Sequence, residues 1–278
     1  MTLAATNATG SSAAMGVIAT LLEQHTGQQI AAARAWRLET TLKPLLRDLG
    51  VATLDELVGK LVAARDGVLS DRVIDALLNQ ETSFFRDCAV LDLVADAAQA
   101  RYRENGGRRL RLWSSGCSFG QEPLSLAILL HERGLDENAV EIVATDVSVG
   151  AIARAKAAKF SQFEIQRGLS IRRMIEWFEG EGGEWTARRE LVRRIQYRQH
   201  NLIADLPPAG QFDIMLCRNV MLYFSPELRR EAFARIARAA RPGGLLVLGA
   251  SETVIGQTDY FKPSPEWRGL YATSSTRA

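Results

Sequence analysis

From Leu110 onward the chain alternates between short apolar runs and helical stretches, and that alternation leaves little choice of architecture. Leu110-Arg-Leu-Trp-Ser114 reads as a strand, followed by a glycine-containing loop, Gly116-Cys-Ser-Phe-Gly120, and a helix over Glu122–Glu132. Val140-Glu-Ile-Val-Ala-Thr145 is a second strand ending at Asp146, with a helix from Ser148 to about Ala158. Phe212–Cys217 is a third strand. Pro226–Ala240 is a helix with Ser225 as N-cap and Pro226 at its first position, stopped by Arg241-Pro-Gly-Gly244. Leu245–Leu248 is a fourth strand, and Trp267–Ala272 a weaker one. Strands alternating with helices of roughly 10–15 residues predict a doubly wound α/β sheet. Between Lys159 and Gln199 the alternation lapses. A short helix (Ile171–Phe178), a Gly180-Glu-Gly-Gly183 turn and β-like Trp185-Thr186 and Ile195-Gln-Tyr197 predict a small inserted β-subdomain there.

Residues 15–105 carry helical patterning and almost no strand signal. Ile30, Ala33, Leu38, Leu42, Leu45, Leu46 and Leu49 recur close to every third or fourth position, with Gly50 placed as a C-cap. Pro44 falls inside the pattern and predicts a kink. Thr53 and Glu56 form a capping box ahead of Leu57, and further helices are expected over about 70–79 and 87–103. The first 14 residues lack lysine and arginine, so the charged start of a secretory signal is missing. They are expected to form a disordered lead-in. The predicted division is therefore a lead-in (1–14), an all-α N-terminal domain (15–85) and an α/β domain (86–278) with its insertion at about 159–199.

Charge and cysteine content exclude several functions. Thirty-four basic against 32 acidic residues leave +2, no overall field for nucleic acid or anionic lipid. No apolar run approaches the ~20 residues of a membrane span, so membrane insertion is not expected. Cys88, Cys117 and Cys217 are odd in number and far apart, against a disulfide framework or a zinc site and in keeping with a reducing cytoplasm.

The first strand-loop-helix unit has the form of a nucleotide site. Its glycines let backbone approach a ligand and aim a helix N-terminus at it, while Asp146, ending the next strand, can accept from two ribose hydroxyls. A structural turn and a helix-capping aspartate are the alternative. The dinucleotide spacing G-x-G-x-x-G is absent, there is no GK[ST], and Gln121-Glu122-Pro123 follows the loop without a lysine. A ribose acid, a loop carboxylate and no phosphate cradle suit a cationic, phosphate-free nucleoside, S-adenosylmethionine, with Glu122 toward its amino end.

Three separated motifs then occur in order: Gln80-Glu-Thr-Ser-Phe-Phe-Arg-Asp87, Trp113-Ser-Ser-Gly-Cys-Ser-Phe-Gly-Gln-Glu-Pro123 and Cys217-Arg-Asn-Val-Met-Leu-Tyr-Phe224. With the layout above they resemble the CheR family, the chemotaxis receptor glutamate methyltransferases, over about residues 20–272. The resemblance implies a Rossmann-like S-adenosylmethionine-dependent methyltransferase domain and methyl transfer to the γ-carboxylate of receptor glutamates. It also implies roles residue by residue. Gln80 (commonly Asn in the family), Thr82, Arg86, Glu122, Asp146, Asn201, Leu202, Cys217, Arg218 and Asn219 fall at cofactor-binding positions, and Arg86 and Tyr223 resemble the residues that orient methyl donor and acceptor. A solvated position at a helix start is the alternative for Arg86, and core packing with Phe224 for Tyr223. Phe84 and Phe85 are expected to pack, closing the helical module against the cofactor domain. His25, His131 and His200 lie in no motif, as suits a nucleophile with a pKa near 4.3 that is already ionised at neutral pH and needs no general base.

Basic residues are concentrated twice. Arg34, Arg37, Lys43 and Arg47 oppose a single acid, Glu39, over residues 30–47. A solvated helix face is the ordinary reading, and the resemblance implies docking on acidic receptor helices through Arg34, Arg37 and Arg47, although Pro44 and Leu45 fall where the family tends to have arginine. Arg188, Arg189, Arg193, Arg194 and Arg198 lie in the insertion without aromatics spaced for base stacking, so nucleic acid is not expected. The partners expected are methyl-accepting chemoreceptor cytoplasmic helices. The short Gly180–Gly183 turn predicts no binding of a receptor's tether pentapeptide, and a monomer without metal is expected. A methyltransferase for another substrate and a non-catalytic cofactor-binding adaptor are the alternatives.

Overall fold

The computed structural model describes residues 4–30, 37–64 and 67–274. Its contacts divide the chain into a helical unit, residues 1–79 with 223–225, and an α/β unit, residues 80–222 with 226–278.

In the helical unit α1 (Ala4–Thr26), α2 (Arg37–Asp48), α3 (Leu54–Ala63) and α4 (Val68–Leu77) follow one another. The segment expected to be disordered through residue 14 is helical from Ala4. Alanines at 4, 5, 8, 13 and 14 favour helix, and Ala14, Ile18 and Leu22, one turn apart, are buried. On α2 the spacing read from the sequence is realised: Leu38, Leu42, Leu45 and Leu46 are buried with Leu54, Leu57 and Val73 in one cluster. Pro44 lies inside α2 at an exposed position. Thr53 caps α3 by accepting from the Glu56 N–H, but the Glu56 carboxylate takes the N–H of Ala52 instead of Thr53, a variant of the expected reciprocal box.

The α/β unit opens with α5 (Cys88–Glu104), β1 (Leu110–Ser115), α6 (Gln121–Glu132), β2 (Val140–Asp146) and α7 (Val149–Ala157). The insertion follows as β3 (Lys159–Ser161), α8 (Gln162–Gln166), α9 (Ile171–Trp177), β4 (Phe178–Glu181), β5 (Glu184–Ala187) and α10 (Arg189–Val192). The chain then completes the main sheet with β6 (Ile195–Gln199), β7 (Phe212–Cys217), α11 (Pro226–Ala239), β8 (Ala240–Leu248), β9 (Phe261–Pro263) and β10 (Tyr271–Thr273). The sheet order is β6-β2-β1-β7-β8-β10-β9, parallel from β6 to β8 and antiparallel at β10, and β3-β5-β4 form a separate antiparallel sheet. The architecture is the doubly wound Rossmann-like α/β fold with an inserted β-subdomain and helices ahead of it.

Three expectations shift. Residues 195–197 are not part of the insertion, because β6 pairs in parallel with β2 from Ile142↔Ile195 to Asp146↔Gln199. Ile195 and Tyr197 are buried while Gln196 and Arg198 are exposed, the alternation of an edge strand with one covered face. The strand expected over 267–272 is β10 at 271–273, with β9 as an unforeseen partner. The helical unit ends at Asn79 and not at 85, because Phe84 and Phe85 belong to the α/β core.

Phe84 packs within the α/β unit. Its ring meets Phe160 of β3 at 4.9 Å and Phe178 of β4 at 5.4 Å, both edge-on, so it joins the insertion to the sheet unit. The loop after α8 passes so close that a Cβ on Gly168, where φ is +106°, would overlap the Phe84 carbonyl oxygen. Gly168→Ala is expected to destabilise the protein by about 2 kcal/mol or more. Thermal unfolding followed by circular dichroism checks it, and a melting temperature equal to wild type would remove this contact from the account of the fold.

Candidate functional site

The strand order reverses at β1, which lies between β2 and β7, and ligands of such sheets bind outside the strand C-termini at that point. The loop leaving β1 is tied down there. The N–H groups of Gly116 and Cys117 both donate to the Thr145 carbonyl at the end of β2, at 2.8 and 2.9 Å. Gly116 has φ +77°, and a Cβ on it would overlap the Val220 side chain, so only glycine fits. Ser118 donates its N–H to Asp146 Oδ2 at 2.8 Å and its hydroxyl to the Gln80 carbonyl at 3.1 Å. The first two motifs thus meet on the glycine loop.

Asp146 is buried, and its Oδ1 accepts from the Ser148 N–H at 2.9 Å. The structural role weighed against its ribose role is real, but the two roles are compatible. A carboxylate has about four lone-pair sites, so holding backbone N–H groups does not by itself exclude a ligand hydroxyl. Glu122, in the first turn of α6, accepts from the Ser114 hydroxyl at 2.8 Å on Oε1 and from Arg218 Nη1 at 2.9 Å on Oε2. Arg218 was expected against the cofactor. Its side chain is only 2% exposed and is committed to protein: beyond Glu122, Nη2 reaches the Arg86 carbonyl at 3.0 Å and Asp87 Oδ2 at 2.5 Å. Arg86 and Thr82 are half-buried, and the Arg86 guanidinium donates to the Glu81 carbonyl at 3.1 Å.

Backbone strain collects at these loops. Among the described residues five non-glycines have positive φ, and four of them, Phe85, Asp87, Ser118 and Asn219, lie in the three motifs. Each costs on the order of 1–3 kcal/mol and persists only where its surroundings over-determine it. The Phe85 N–H donates to the buried Ser125 hydroxyl at 2.9 Å, Asp87 is held by Arg218, Ser118 by Asp146, and the Asn219 N–H by Glu252 at 2.7 Å. Glu252 also takes the N–H groups of Gly249 (2.8 Å) and Leu222 (3.2 Å). Sequence reasoning missed Ser125 and Glu252. Glu252 had a signal, as an acid directly beyond a C-terminal strand end of the sheet. Ser125 had only its polar side chain amid the apolar run of α6.

The remaining expectations divide. Asn201 caps its own turn, Oδ1 accepting from the N–H groups of Ile203 and Ala204, and Leu202 beside it is buried. Cys217 is fully buried at the end of β7, and burial pushes its thiol well above the ordinary range, as it does for Cys117, so neither is a thiolate nucleophile. Tyr223 groups with the helical unit, where its hydroxyl accepts from Asn79 Nδ2 at 2.6 Å. Gln80 is half-buried. Arg34 and the side chain of Arg37 lie outside the described residues, and Arg47 is exposed on α2. In the second basic run Arg194 is buried, donating to the carbonyls of Ala127 and Leu135, and Arg193 pairs with Glu137 at 2.8 Å. No group of three or more potential metal ligands occurs among the described residues, and no described helix is long and apolar enough to cross a membrane.

A buried carboxylate ending β2, a second in the first turn of α6 and a glycine loop without lysine fit a cationic nucleoside, in keeping with the fold of an S-adenosylmethionine-dependent methyltransferase. The family described as "CheR methyltransferase, SAM binding domain" matches residues 80–269. Chemotaxis protein methyltransferase 1 of Pseudomonas aeruginosa is 35% identical over 87% of this chain and 90% of its own length. Chemotaxis protein methyltransferase Cher2 of Pseudomonas putida is 34% identical with the same coverage, and the chemotaxis protein methyltransferase of Vibrio parahaemolyticus 34% over 87% and 89%. The chain belongs to the CheR methyltransferase family.

Glu252→Ala removes the acceptor of three N–H groups and is expected to cost about 2 kcal/mol or more, with faster amide exchange over 217–222. Glu252→Gln, which keeps one acceptor oxygen, should lose less. Exchange mass spectrometry checks this, and unchanged protection in the alanine variant would refute the clamp.

Proposed function

We propose that this methyltransferase transfers the methyl group of S-adenosylmethionine to the γ-carboxylate of glutamates on chemoreceptor cytoplasmic helices, giving glutamyl methyl esters. The observation that carries this reading is a cofactor site furnished with carboxylates but with no described side chain suited to activating a nucleophile. Both motif cysteines are buried thiols. His200 is buried, bonded to the Leu206 carbonyl, and its pKa is lowered by that burial. Such a site suits a nucleophile that arrives ionised. The names of the relatives, chemotaxis protein methyltransferases, support the same choice.

When bound, S-adenosylmethionine supplies an electrophilic methyl group on a sulfonium. Asp146 accepts from the ribose hydroxyls and Glu122 from the amino end. Thr82, Gln80, Asn201, Leu202, Cys217 and Asn219 line the remainder of the cofactor's surroundings. Arg86 offers a guanidinium to the incoming carboxylate, and Tyr223 a hydroxyl. Their task is alignment and partial desolvation of an oxygen already charged, which places their contribution in the transition state. Receptor helices dock on the basic segment 30–47 through Arg34, Arg37 and Arg47. The β4–β5 hairpin turns at Gly182-Gly183, both with positive φ, a tight two-residue connection that supports the reading without a tether pentapeptide.

Incubation with labelled cofactor and a purified receptor cytoplasmic fragment should yield base-labile methyl esters, and a labelled product stable to base would overturn the glutamate assignment. Asp146→Ala is expected to weaken cofactor binding by about 1.5–3 kcal/mol, the worth of a charge-assisted hydrogen bond, read by calorimetry. Arg86→Ala and Tyr223→Phe should lower kcat more than cofactor affinity. Turnover should fall as salt rises, and a tether-type pentapeptide should show no micromolar binding.

A further inference from the structure

Arg218 stands at the junction of all three motifs, on side chains and backbone of the α/β unit alone. It leaves the end of β7, and its guanidinium fork divides between two carboxylates and one carbonyl: Glu122 Oε2 at 2.9 Å through Nη1, and Asp87 Oδ2 and the Arg86 carbonyl through Nη2. With its side chain 2% exposed it has no surface to offer a ligand. Glu122 is 14% exposed on its side chain, so without a cation it would be a carboxylate held mostly out of water, a costly state. Arg86 lies between two residues in left-handed conformation, Phe85 at φ 52° and Asp87 at φ 55°. A backbone so placed relaxes unless something holds it, and the Arg218 bonds to the Arg86 carbonyl and the Asp87 carboxylate hold it from one side as Ser125 does from the other.

We propose that Arg218 is a positioning residue of the methyl-transfer site: through one fork it orients the Glu122 carboxylate for the cofactor and fixes the backbone that carries Arg86, without touching cofactor or acceptor. This rests on the proposed function above. Lysine cannot replace it, since an ammonium is a point charge whereas the planar fork serves donors in several fixed directions. Two consequences separate positioning from general support of the fold. The effect of Arg218 on cofactor binding runs through Glu122 and must vanish when Glu122 can no longer bind as an anion. Its effect on turnover runs through the Arg86 segment and must be reproduced by removing Asp87, which leaves the Glu122 contact intact.

The test is a double-mutant cycle on the full chain, with S-adenosylmethionine affinity from calorimetry and kcat on a receptor fragment. Arg218→Gln is expected to weaken cofactor binding about tenfold, but less than about twofold when introduced into Glu122→Gln. Asp87→Ala should lower kcat about tenfold or more with cofactor affinity within about twofold of wild type. Arg218→Lys should recover part of the binding and little of the turnover. If Arg218→Gln does not fold, Arg218→Lys takes its place in the same cycle. Additive effects of Arg218 and Glu122 on binding, or an Asp87→Ala variant with normal kcat, would overturn the proposal. Wild-type protein that binds cofactor with the expected coupling but leaves receptor glutamates unmethylated would support Arg218 and count against the glutamate reading alone.

Discussion

The register of β1 between its two parallel neighbours is the constraint on which the site depends. Ser115 pairs with Thr145, and Ser114 with Leu216, so the ends of β1, β2 and β7 arrive at one level. That register is costly to shift. Leu112 and Trp113 are fully buried, and the Trp113 indole donates to the Thr145 hydroxyl on the neighbouring strand at 2.9 Å. Slipping one residue would exchange the two faces of β1, break that bond and strand an indole N–H in the core. Because the register holds, the glycine loop, Asp146 and the Cys217-Arg218-Asn219 segment converge at the strand ends, where Ser118–Asp146 and Arg218–Glu122 hydrogen bonds then hold them.

Convergence brings a charge problem with it. Asp146 and Glu122 are largely withdrawn from water, and a buried carboxylate is tolerable only when it is paired or richly hydrogen-bonded. The chain answers differently in the two places. Asp146 accepts backbone N–H groups from Ser118 and Ser148, which carry no charge. Glu122 is stabilised by a full cation, Arg218, which offsets most of its field at a distance and keeps its direction.

The fold was legible because its strands are short apolar runs punctuated by turn residues, and four of the expected strands fall within a residue or so of β1, β2, β7 and the second half of β8. β6 was misassigned because Ile195-Gln-Tyr-Arg-Gln199 alternates like a hairpin strand, and only its partner, β2, decides which sheet it joins. β9 and β10 are three residues each, too short for any periodicity to declare them. The helical start at Ala4 was masked by a polar composition whose alanines outweigh its threonine and asparagine. Within the candidate site, the expectations for Asp146 and Glu122 came from strand ends and loop chemistry alone. Arg86 and Tyr223 came only with the resemblance, since nothing in their spacing marks them. Arg218 was expected against the cofactor, and its bonds to Glu122, Asp87 and the Arg86 carbonyl were not foreseen, because a sequence shows an arginine but not which way its fork turns. Ser125 and Glu252 serve backbone N–H groups, and those partners leave no trace in residue identity.

The place of the insertion in the chain has a mechanical consequence. It leaves the sheet unit after α7 and returns at β6, beside β2, so both of its ends are anchored near the strand that carries Asp146. Its inner face is Phe160 and Phe178, and the third ring in that cluster is Phe84, two residues before Arg86. The Arg173 guanidinium of α9 lies 4.2 Å from the centroid of Phe85, and the same arginine pairs with Glu132 at the end of α6. The segment bearing Arg86 is therefore gripped by α6 through Ser125, by β7 through Arg218 and by the insertion through Phe84 and Phe85.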